Sequence, residues 1–247
     1  MRRWGWRRDT PDHRDHEAAA FFGRDIPAVV SLEEWGPRVE DQGPIGSCTA
    51  HAATSGLELL ASKAGRPTLE LSRLYVYWET RVRWERVPPG EDSGAQIRNV
   101  VKTLAGWGAP DERLWPYVPA RYADPPSQEA VDDAARHRLT GYARCRSLRA
   151  VQAALAGGYP VIGGFAVPAS IDSEATSLTG IVDVPGPDER LVGGHAVLIV
   201  GYDDARASLR FLNSWGPDWG DRGYGWLPYR YVVSGLADDL WALRAET

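Results

Sequence analysis

At 247 residues, with 43% hydrophobic and 25% charged residues, the chain can bury a sizeable core, and disordered or fibrous classes are excluded. A net charge of −5 provides no broad basic field, so neither nucleic acid nor an anionic membrane is expected as a partner. The two cysteines, Cys48 and Cys145, exclude a disulfide framework and fit a reducing compartment, and with five histidines they form no CxxC or HxxxH pair, so no metal is expected.

Residues 1–25 read as an arm, with Trp4, Trp6, Phe21 and Phe22 as anchors onto the body, and a docked or frayed terminus is expected over a pro-segment that occludes a site. Arg pairs near its start are followed by acidic residues and no apolar stretch, which argues against an export signal; with no membrane span in the chain, a cytoplasmic protein is expected. Residues 26–32 form a short extended segment. The Gly/Pro-rich turn before Cys48 then becomes a helix, with apolar Ala50, Ala53, Leu57 and Leu60 on one face and Gly65 and Pro67 as its stop. Ser72 caps a second helix within a helical pattern reaching about Arg86, residues 88–94 form a loop, and a third helix covers about 95–105. Further helices are expected over 127–138 and 148–155. Residues 168–192 read as a surface insertion. Strands follow over 160–167, 195–202, 209–213 and 225–229. Helices first and strands second indicate an α+β fold with two lobes.

Cys48 falls in the first turn of its helix, where orphan N–H groups and the helix dipole favour a thiolate, the nucleophilic form. Far downstream, His195 heads an apolar strand and Asn213 ends the next one. The polar turn between them is centred near residue 204, so the two become near cross-strand neighbours within hydrogen-bonding reach. Together the three make a nucleophile, a base and an orienting amide. Cys145 is read as structural, and His51 as packing or surface.

Three ordered motifs, Gln42-Gly43-Pro44-Ile45-Gly46-Ser47-Cys48, Gly194-His195-Ala196-Val197 and Asn213-Ser214-Trp215-Gly216, resemble those of the papain-like cysteine peptidases, particularly their bacterial branch. His195 follows Cys48 by 147 residues, within the roughly 130–150 of that signature. The resemblance implies Cys48 as nucleophile, His195 as general base and acid, Asn213 as its orienting partner and Gln42 as oxyanion-hole donor. It also implies substrate contacts at Gly94, Gly194 and Trp215, with Trp215 shielding the His195–Asn213 bond. Departures from the family pattern are Ile45 in place of a cysteine, Thr49 in place of an aromatic residue and Ser93 in place of a glycine. The family's long inhibitory pro-segment is not matched, which implies an enzyme made ready or restrained in some other way.

The expectation is a papain-like α+β fold, with an arm over 1–25 and a catalytic domain over 26–247. A helical lobe over about 35–138 and an antiparallel β-barrel-like lobe over about 139–235 would enclose the cleft. The expected function is hydrolysis of peptide or amide bonds through a thioester acyl-enzyme, without a cofactor. Acyl transfer during processing of a peptide natural product would use the same residues. A non-catalytic binding module is the third reading, and it would gain if the arm blocked the cleft.

Overall fold

The computed structural model describes residues 3–18 and 25–245; the anchors expected at Phe21 and Phe22 lie outside them. In the helical layer, α1 (Cys48–Lys63), α2 (Arg73–Trp78) and α3 (Ile97–Gly106) pack together, and α4 (Gln128–Ala134) follows. Serines open several helices: the side chains of Ser72 and Ser127 accept from the amides of Tyr75 and Ala130 at 3.1 and 3.2 Å, satisfying N–H groups that the helix leaves unpaired. Past α2 the backbone continues as a π-helical turn over Glu79–Trp84. There the buried Arg81 donates to the carbonyl of Tyr122 at 2.6 Å, tying the next connection to the helices.

The second layer is an open antiparallel sheet in the order β4 (Gly141–Cys145), β9 (Ala237–Arg244), β5 (Val161–Pro168), β6 (Leu191–Asp203), β7 (Ser208–Leu212), β8 (Tyr224–Pro228). β2 (Val29–Ser31) pairs with β6 alongside that path. The strand path does not close on itself, so the β-barrel-like lobe is an open sheet among the described residues. The outer connections carry α5 (Leu148–Ala156), α6 (Glu174–Thr179) and α7 (Tyr229–Val233). A separate parallel pair joins β1 (Trp6–Arg7) of the arm to β3 (Ala95–Gln96).

Several elements differ from the sequence reading. Residues 95 and 96 are strand because they pair with the arm, so α3 starts two residues late. α4 stops at Ala134, and the carbonyl of His137 beyond it is taken by the amide of Ala109 at 3.1 Å. β4 and β9 were not expected, and β9 carries the sheet past residue 235; the acidic start of β9, Ala237-Asp238-Asp239, masks its alternation. The insertion over 168–192 contains α6 and docks along the outer edge of β8 through the Ile181–Trp226 bridge.

The largest difference concerns α1, whose residues Cys48 to Ala61 are all buried. Faces other than the apolar one identified from spacing are covered too, because α1 lies between α2 and α3 on one side and β5, β6 and β9 on the other. Polar residues on those faces find partners inside. Glu58 accepts from the amide of Leu71 at 2.7 Å and from Arg73 at 2.8 Å, with both side chains almost wholly buried. Burial pushes Glu58 up to about 7 against the pull of the Arg73 charge. Removing one partner strands the other in low dielectric. Arg73→Met is therefore expected to lower unfolding free energy by about 3–5 kcal/mol, measured by urea denaturation at neutral pH.

Candidate active site

The turn before Cys48 is held from several directions. Gly43 adopts a positive φ of 58° while its amide donates to Asp41 Oδ1 at 2.8 Å, an Asx turn. The next bend is fixed by Asp92, which accepts from the amide of Gly46 at 3.0 Å and from the hydroxyl of Tyr77. Tyr117 bonds to Ser47 Oγ at 2.6 Å and to the carbonyl of Gln42 at 2.8 Å. Ser47 is the N-cap residue, so Cys48 is the first residue of α1, as its spacing predicts.

On the sheet side, His195 lies in β6 beside Phe165 of β5. His195 Nε2 and Asn213 Oδ1 are 2.8 Å apart, and the same oxygen accepts from the amide of Ser214 at 2.9 Å. Since Asn213 Oδ1 accepts from both, Nε2 carries the proton and Nδ1 is the basic nitrogen of the neutral ring. The pairing is diagonal. A bulge between Ile199 and Gly201 shifts the β6–β7 register, so that Leu212 faces Leu198 and the next residue would face Val197. Trp215 stacks on the imidazole at 4.5 Å and 28°, with Phe165 edge-on at 5.7 Å. The rings cover the His195–Asn213 bond, and His195 is wholly buried.

The two layers meet at these residues. The amide of Gln42 donates to the carbonyl of Ser214 at 2.9 Å, and that of Gly216 to Glu40 at 3.0 Å. Ser214 Oγ donates to Gln42 Oε1 at 2.7 Å, which fixes the side-chain amide with Nε2 turned inward. Ser214 was not singled out from sequence, although it follows Asn213 directly. The Cys48 thiol lies within hydrogen-bonding reach of the amide of Ala196, the residue after His195. His51 is packing: it is buried edge-on against Tyr117 at 4.7 Å, and burial pulls its pKa down to about 3, so it stays neutral. Cys145 is buried and unpaired in β4.

The cleft is filled by the arm, contrary to the docked or frayed terminus expected. Gln42 Nε2 donates to the carbonyl of Arg3 at 3.4 Å and to that of Ile45 at 3.0 Å. Trp4 sets its edge against His195 at 6.2 Å and against Trp215 at 5.9 Å. The backbone of Gly5 reaches the Cys48 thiol and accepts from the amide of Ala95 at 2.8 Å. A side chain at Gly94 would overlap Gly5, one at Gly193 would overlap Trp4, and one at Gly194 would overlap Trp6. The seven residues singled out from sequence thus converge: Gln42, Cys48, His195 and Asn213 line the junction, and Gly94, Gly194 and Trp215 touch the arm.

Electrostatics follow from this cover. Cys48 has no exposed surface, and burial pushes its thiol up to about 11, overriding the amides that would favour a thiolate. The activation expected from the helix N-terminus is not realised while the thiol is buried in this way. Among the described residues no cluster of three or more histidine, cysteine, aspartate or glutamate side chains is arranged to hold a metal, and no helix is long and apolar enough to cross a membrane.

Residues 33–240 match the family model described as papain family cysteine protease, and the chain belongs to that family. It is a cysteine-type peptidase. It is similar to xylellain, a cysteine protease from Xylella fastidiosa, with a TM-score of 0.89 and 33% identity over 99% of this chain and 96% of that one. An uncharacterized peptidase C1-like protein of Acanthamoeba polyphaga mimivirus is 35% identical over 90% of this chain and 74% of its own length. Cathepsin K of Gallus gallus is 27% identical over 80% of this chain and 58% of its own.

Trp4→Ala in the full chain removes two aromatic contacts that hold the arm over Cys48. Iodoacetamide labelling of Cys48 at pH 7, read by peptide mapping, is expected to accelerate at least about tenfold. Wild type should instead label appreciably only as pH climbs towards about 11, because a raised thiol pKa keeps the thiol protonated below that value.

Proposed function

We propose that Cys48 is the nucleophile of a peptide-bond hydrolase and that His195, Asn213 and Gln42 serve it. His195 Nδ1 takes the thiol proton, and Sγ attacks the substrate carbonyl. Negative charge collects on the carbonyl oxygen, where Gln42 Nε2 and the Cys48 amide donate to it. His195 then protonates the departing amine, leaving a thioester that water hydrolyses with His195 as base. Asn213 keeps the imidazole in one tautomer, and Trp215 and Phe165 keep water from that bond. Gly94, Gly194 and Trp215 border the bound chain.

The observation that carries this reading is the backbone already in the cleft. The Arg3 carbonyl, standing in for a substrate carbonyl, accepts from Gln42 Nε2, and the Gly5 backbone lies at the thiol. A cleft that holds one peptide by main-chain contacts is suited to another. The arm is therefore a restraint on the peptidase: it is held by noncovalent contacts to the reacting groups themselves, and displacement by a substrate restores them. We place the arm at residues 1–25, the catalytic domain at 26–247 and the protein in the cytoplasm, where the unpaired Cys48 and Cys145 stay reduced.

In an arm-opened chain carrying Trp4→Ala, a fluorogenic peptide library should be hydrolysed, and Cys48→Ala should abolish turnover. Gln42→Ala should lower kcat by about 10²–10³, the usual effect of losing one oxyanion donor. Hydrolysis that survives Cys48→Ala would overturn the assignment.

A further inference from the structure

Trp6 does not lie flat on the cleft but enters a pocket beside it. The side chain is 7% exposed, its ring packed where a Cβ on either Gly164 or Gly194 would stand. Gly194 directly precedes His195, and Gly5, next to Trp6 in the arm, reaches the Cys48 thiol. The pocket therefore opens one residue away from the reacting sulfur. At its floor Trp6 Nε1 donates to Asp239 Oδ2 at 3.1 Å, and the Asp239 residue is 1% exposed.

The backbone is bent to put this carboxylate there. β5 and β9 pair through Ile162–Trp241 and then Gly164–Asp238, so Asp239 and Leu240 together oppose the single residue Gly163. Asp239 sits in this bulge with φ of 52°, a left-handed conformation that aspartate tolerates better than most residues. Its two oxygens face different ways. Oδ1 accepts from Arg144 Nη2 at 2.7 Å, a contact within the body of the protein. Oδ2 accepts from Trp6 Nε1 and from the amide of Asp9 at 2.7 Å, both donors belonging to the arm.

When the arm leaves, Oδ2 loses both of these donors and faces the vacated pocket, so an occupant that seals it from water without offering an N–H would leave a buried carboxylate oxygen unmet, which is costly. We propose that this pocket selects substrate side chains that are flat or extended and end in an N–H donor, tryptophan or arginine, with Asp239 as the specificity-determining residue and Trp6 as its built-in occupant. Arg144 anchors Oδ1, so Oδ2 remains turned to the pocket. The glycines at 164 and 194 make room for the ring or the guanidinium stem. Leucine, methionine and phenylalanine would fill the space and leave Oδ2 unmet.

The inference rests on the peptidase reading for its substrate, but the pocket's chemistry can be tested without turnover, because Trp6 is itself the probe. In the full chain, Trp6→Phe is expected to speed iodoacetamide labelling of Cys48 about tenfold, the effect of losing a hydrogen bond to a charged acceptor. Trp6→Arg should label nearly as slowly as wild type. Asp239→Asn keeps the size of the side chain and tolerates the same backbone conformation, but its amide oxygen is drawn to Arg144 and its NH2 turns to the pocket. In that background Trp6→Phe and Trp6→Arg should lose their difference. Equal labelling of the two variants with Asp239 intact would overturn the proposal. A positional peptide library on the Trp4→Ala chain then separates the two donors: tryptophan or arginine should be favoured over phenylalanine and methionine at one position, and Asp239→Asn should erase the preference. Hydrolysis with no such preference also overturns the inference, whereas a full labelling response without hydrolysis counts against the peptidase reading instead.

Discussion

Burial of α1 on every side is the constraint from which the site follows. A helix clamped between α2, α3 and the sheet cannot shift along its axis without breaking contacts on both faces, so its first residue is fixed against β6. That places the Cys48 sulfur within hydrogen-bonding reach of the amide of Ala196, the residue next to His195. The pairing of residues 40–42 with 214–216 stitches the same junction from outside, and Ser214 Oγ uses it to set the Gln42 side chain. The residues proposed as nucleophile, base and oxyanion donor, Cys48, His195 and Gln42, therefore come from three segments far apart in sequence, yet contacts through Ala196, Asn213 and Ser214 hold them at one junction.

The arm exploits the same preorganisation. Its Arg3 carbonyl, the Trp4 ring and the Gly5 backbone engage Gln42, His195 and Cys48. Outside the cleft it is held by buried charge: Asp9 accepts from Trp241 Nε1 at 2.9 Å and from the amide of Arg98 at 3.1 Å, and Asp15 pairs with Arg98 at 2.6 Å. Burial and the neighbouring Asp239 carboxylate push Asp9 up, so it is a strained carboxylate that these donors hold in place. A cleft closed by its own chain was the circumstance expected to favour a binding module. The contacts argue otherwise, because the arm is seated on Gln42, His195 and Trp215, the residues proposed to act, and not on a cleft that has lost them.

Much of this was legible in the residues. The position of Cys48 followed from a turn-to-helix transition, and the proximity of His195 and Asn213 from two strands around a polar turn. The diagonal offset was not legible, since a bulge such as that at Ile199–Gly201 leaves no mark in alternation. α1 read as amphipathic because its other face carries His51, Thr54, Ser55 and Glu58, whose burial depends on partners such as Arg73 that only the tertiary fold supplies. β9 was hidden because Asp238 and Asp239 break its alternation, and their partners, Arg144 of β4 and Trp6 of the arm, are supplied only by the tertiary fold. The arm's place was obscured for a similar reason: Trp4 and Trp6 look like anchors in any terminus, and what they anchor to is written in glycines at 164, 193 and 194.

A cysteine-type peptidase of this design must form a covalent bond at one sulfur. Rapid-quench intact-mass analysis of the Trp4→Ala chain with an activated peptide ester tests it most directly. An acyl adduct that maps to Cys48, is released by hydroxylamine and is absent in His195→Ala is the predicted result. Turnover of the ester with no adduct, or with an adduct on another residue, would contradict it.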